Sequence, residues 1–131
     1  MEIKEYVMNK ALEAKEGARS LARALSGQKN AVLIEMASSL KKRSKELIGE
    51  NKKDVLLARE KRLSKALIDR LTLNERRIEE MAKGLTEVAA LPDPVGEITK
   101  MWRRPNGMQV GKMRVPIGVI GIIYESRPNV T

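Results

Sequence analysis

The five residues ESRPN, 125 to 129, place a carboxylate, a hydroxyl, a guanidinium and a carboxamide side by side. An arginine in such company can pair with a phosphate or a carboxylate through two parallel hydrogen bonds. An asparagine amide can donate to an oxygen that gains negative charge during a reaction. A polar loop leading into a helix cap uses the same residue types, so chemistry alone leaves a site and a cap equally open. Other chemistries are excluded. The chain contains no cysteine and no histidine, so disulfides, thiolate nucleophiles and imidazole acid–base catalysis are absent from these 131 residues. Gly118 and Gly121, in GVIG, fit neither GxGxxG nor a phosphate-binding loop. Glu79 and Glu80 fall on the exposed side of a predicted helix, where solvation accounts for them.

Two elements would have to position ESRPN. Residues 117 to 124, IGVIGIIY, are almost all apolar without alternation, which predicts a strand covered on both faces in a parallel sheet. ESRPN then lies at the C-terminal end of that strand, the place where open α/β sheets bind ligands. A parallel strand also needs a crossover and a partner strand. Neither fits in the seven residues that remain, so the chain is expected to be the opening piece of something larger.

Upstream the pattern is helical. Ile3, Val7, Ala11, Ala14, Ala18, Leu21 and Leu25 keep the spacing of an amphipathic helix, which Gly27 is expected to end. A second helix is predicted from a cap at Asn30, with Val32, Leu33, Met36, Ala37, Leu40, Leu47 and Ile48 on its buried stripe and Gly49 near its end. A shorter stretch after Asn51 carries Val55, Leu56 and Ala58, and Ser64 is expected to cap another around Ala66, Leu67 and Leu71. Thr72 and Glu75 have capping-box spacing ahead of a helix with Ile78, Met81, Leu85, Val88 and Ala89 on one face. Four or five helices would then fill residues 1 to 90.

ALPDPVGE, residues 90 to 97, stops the helices, because closely spaced prolines cannot continue one. Residues 97 to 116 read as two β-compatible arms around Pro105-Asn106-Gly107, a hairpin. Gly111 in the second arm implies a bulge or a close backbone approach. Trp102 either packs within the hairpin or anchors an interface.

Composition, at 42% hydrophobic and 33% charged residues, is that of a soluble globular protein. No apolar run reaches the ~18 residues that span a bilayer, and Glu2 and Glu5 stand where a signal peptide would be apolar, so no membrane association and a cytoplasmic location are expected. The net charge of +9 is spread unevenly: ten basic against seven acidic residues in 1–50, eleven against nine in 51–100, and five against one in 101–131. The tight cluster Lys41, Lys42, Arg43 and Lys45 sits near the end of a predicted helix, where it complements the dipole. Tyr6, Trp102 and Tyr124 are the whole aromatic set, too few and too scattered for base stacking, and nucleic-acid binding is not expected.

PIGVIGIIYESRPNVT closely resembles the segment of the γ-glutamyl phosphate reductase family, within the aldehyde dehydrogenase superfamily, that enters the cofactor-binding domain. ALPDPVGEI, WRRPNGMQVGKMRVPIG and NKKDVLLARE resemble earlier stretches of the same family. The resemblance implies an α/β fold cut short: residues 1–95 as the helical part of the cofactor-binding domain, 96–115 as a hairpin arm, and 116–131 as the first strand and turn of a parallel, Rossmann-like sheet. It implies NADPH as cofactor and the reduction of γ-glutamyl phosphate to glutamate 5-semialdehyde in proline biosynthesis. It further implies chemistry through a cysteine thiolate beyond residue 131.

In wider relatives a P-x-G-x-x-x-x-I-x-P-W-N-like motif ends on an asparagine that holds the reacting oxygen. Pro116, Gly118 and Ile123 match its first part, after which this sequence departs. An ungapped match sets Arg127 at the asparagine position, and a two-residue insertion sets Asn129 there. Asn129 is preferred because an amide keeps the donor chemistry, leaving Arg127 to bind substrate and Tyr124, Glu125 and Ser126 to line the cofactor. The resemblance further implies a homo-oligomer formed through the 97–115 hairpin, and glutamate 5-kinase as a partner. The alternative of another class is a basic helical module that binds or assembles without catalysis.

Overall fold

The structure, a computed structural model, describes residues 2–124 and residue 128. Five helices come first: α1 (Ile3–Leu21), α2 (Ser26–Lys42), α3 (Ser44–Glu60), α4 (Lys65–Leu71) and α5 (Glu75–Ala89). Two strands follow, β1 (Ile98–Arg103) and β2 (Gln109–Met113), paired antiparallel. The chain divides into two compact units, one of Met1–Ser26 with Pro92–Gly121 and one of Gly27–Leu91 with Ile122–Thr131.

The expected helices are present, but several of their ends fall elsewhere. α1 closes at Leu21, where the amides of Ala22, Arg23 and Ala24 bond back to the carbonyls of Ala18, Ser20 and Leu21. Those bonds satisfy the helix end without a glycine, and Gly27 and Asn30 lie inside α2 instead. The single helix expected across Leu40 and Leu47 is interrupted at Arg43 (φ −99, ψ 14), and α3 then runs through Gly49 and Asn51 to Glu60. A glycine within a helix costs about 1 kcal/mol against alanine, too little to stop one whose Leu47, Ile48, Val55 and Ala58 are all at least half-buried. Thr72 does not cap α5. Asn74 does, its Oδ1 accepting from the Arg77 amide at 2.9 Å, while the Thr72 hydroxyl donates back to the Ile68 carbonyl at 2.7 Å. Ser64 caps α4 as expected, accepting from the Leu67 amide at 3.3 Å.

The core lies within Gly27–Leu91. Ala37, Ala58, Ile78 and Ala82 are its buried apolar residues. Asn51, only 6% exposed, is buried with them. Its Nδ2 donates to the Leu71 carbonyl at 2.9 Å and its Oδ1 accepts from the Leu73 amide at 2.7 Å. The same turn is held by Arg77, whose guanidinium donates to the Asp69 and Thr72 carbonyls and to the Asp69 carboxylate. Two side chains from different helices thus pin the α4–α5 junction. Lys41 at the end of α2 pairs with Glu79 of α5 at 2.6 Å, an exposed contact worth under about 1 kcal/mol. α1 buries none of its residues; its spacing specifies the helix, and no cover for the stripe comes with it.

In the hairpin, the Gly107 amide bonds the Arg104 carbonyl at 2.9 Å and the Met108 amide bonds Asn106 Oδ1 at 3.2 Å, closing the predicted Pro-Asn-Gly turn with Gly107 at φ 84. Trp102 stands opposite Val110, both half-buried, with the Lys100 ammonium 5.8 Å from the indole. The register slips between Ile98 and Lys100, so the bulge is in β1. Gly111 is the close approach: a β-carbon there would stand 2.6 Å from Met101 Sδ and 3.8 Å from Ile98 Cγ2. The slip therefore gathers Ile98 and Met101 on one face, over the glycine.

Candidate functional site

Of the residues with expected chemical roles, Tyr124 is described; Glu125, Ser126, Arg127 and Asn129 lie outside the described residues. Tyr124 is 48% exposed and ends the apolar run. That run differs from the sequence expectation. Residues 117 to 124 form no strand, and Ile117, Val119, Ile120, Ile122 and Ile123 are all exposed. Among the described residues only β1 and β2 pair, and a parallel strand without a neighbour has neither a ladder for its backbone nor a surface for its side chains. Gly118, at φ 96, also takes a conformation that a side chain at that position would resist.

The Gly27–Leu91 unit contains an open groove of about 900 Å³. Leu40, Leu47, Met81 and Leu85 supply apolar wall, and Arg43, Arg70 and Glu80 supply charge. Pro128, next in the chain to the expected Arg127 and Asn129, lines it too. Arg43 is committed elsewhere, donating to both Glu46 oxygens at 2.9 and 2.7 Å. Those hydrogen bonds, and then the charge behind them, hold the Glu46 carboxyl below the ordinary carboxylate range and raise Arg43. Glu79 and Glu80 behave as solvated surface, Glu79 on Lys41 and Glu80 on Arg76 at 3.7 Å. Among the described residues no group of three or more acidic, histidine or cysteine side chains is placed to hold a metal. Nor is any helix long and apolar enough to cross a membrane.

Sequence reasoning missed Asn51, which it used only as a boundary. The signal was a carboxamide one helical turn from Leu47, Ile48 and Val55, where a polar side chain must find partners.

No family model matches the chain. Over all 131 residues it is 67% identical to the γ-glutamyl phosphate reductase of Thermodesulfovibrio yellowstonii and spans 31% of that protein. It is 53% identical over 131 residues to the γ-glutamyl phosphate reductase of Moorella thermoacetica, again spanning 31%. The crystal structure of γ-glutamyl phosphate reductase from Thermotoga maritima matches 94% of this chain with a TM-score of 0.89 at 45% identity, over 30% of its own length. The chain matches the N-terminal part of the γ-glutamyl phosphate reductases. The helices and the antiparallel hairpin therefore resemble the matching part of that reductase structure, as the sequence resemblance implied. The chain spans just under a third of the reductases it matches.

Proposed function

We propose that this chain is the first part of an NADPH-dependent reductase that converts γ-glutamyl phosphate to glutamate 5-semialdehyde and phosphate, in the cytoplasm, for proline biosynthesis. The supporting observation is identity of 67% sustained across the entire chain to a protein bearing that name. Glutamate 5-kinase is the partner that supplies the acyl phosphate. The nucleophilic cysteine comes from outside these residues, which contain none.

NADPH supplies the hydride when bound. Among the described residues no helix follows GVIG to present amides to a phosphate. In this reading Tyr124, Glu125 and Ser126 contribute to the cofactor's seat, Arg127 pairs with the substrate phosphate, and Asn129 donates its amide to the oxygen that becomes negative as the thiolate attacks. The hairpin is the arm through which copies assemble, with the exposed Met101 and Met113 and the half-buried Trp102 as its apolar contacts.

The test is turnover of a polypeptide that contains this chain and continues at the length of its relatives, followed as NADP⁺ reduction in the phosphate-dependent reverse reaction. Wild-type turnover is expected there and none from the 131 residues alone. Asn129→Ala is expected to lower turnover by about 10² or more, the scale of losing one oxyanion donor. Unchanged turnover in that variant would remove Asn129 from its role, and no turnover in the long wild-type protein would remove the enzyme reading.

A further inference from the structure

We draw no further inference here: the strongest candidate, the apolar groove of the helical unit between α2, α3, α4 and α5 with Arg70 at its rim, is an unpartnered face, and nothing in the structure shows what covers it.

Discussion

The helices between Gly27 and Leu91 and the extended stretch from Pro92 to Tyr124 are both well supplied with large apolar side chains, yet every buried residue described belongs to the helices. In the extended stretch Trp102 and Val110 reach only half burial, and the isoleucines from 117 to 123 stand in solvent. The two stretches need different things from their surroundings. A helix satisfies its backbone internally and needs only another helix's face to hide its stripe. A strand requires a neighbour for its backbone as well as cover for its side chains, and a two-stranded hairpin is marginal alone. The helical unit thus buries a small core among its own helices, whereas the β part buries none of its described residues.

This contrast can be broken by substitution. Asn51→Ala removes both partners of the α4–α5 turn and leaves a part-buried carbonyl and amide without their partner, so the helical unit should lose about 2 kcal/mol. Urea unfolding followed by circular dichroism measures it, and an unchanged midpoint would show that Asn51 pins nothing. In the hairpin, Gly107→Ala forces an alanine to φ 84 at a cost of about 1 kcal/mol. Faster amide exchange confined to 98–113 is expected, with the helical amides unaffected; a global change would mean that the two regions unfold together.

Ile123→Lys sharpens the comparison most directly. In the 131-residue chain the side chain is fully exposed, so stability should move by less than about 0.5 kcal/mol. In a polypeptide of the relatives' length the same change should destabilise by several kcal/mol, because it would bury an unpaired charge. Equal effects in both would mean that 117–124 is not an interior strand of the longer protein.

The smallest effect concerns pH. The Glu46 carboxyl is lowered in the folded state by Arg43, so the pair's contribution is present above the ordinary carboxylate range. It disappears as pH falls through the lowered folded-state value. A carboxyl-resolved NMR titration should place Glu46 below the ordinary glutamate range, and Arg43→Gln should return it.

For the helices and the hairpin, element type was legible because it rests on local rules: the apolar spacing of α5, the Ser64 cap and the Pro105-Asn106-Gly107 turn each act within a few residues. Ends were less legible, since caps compete. Thr72 and Asn74 could both cap α5, and Asn74, whose Oδ1 accepts from the Arg77 amide, is the one that does. Of the candidate site, Tyr124 alone is among the described residues, at the end of the exposed run 117–124.

By itself the sequence determined the helices, the hairpin with its turn, the tight spot at Gly111, and the excess of positive charge toward the C-terminal quarter. Only tertiary structure decided that Asn51 is a buried clamp on the α4–α5 junction, that the β1 bulge brings Ile98 beside Met101 over Gly111, and that a run composed like an interior strand lies bare. The reason is physical. Turns and periodicity are settled between near neighbours along the chain, whereas burial is settled by whatever surface arrives from elsewhere in space.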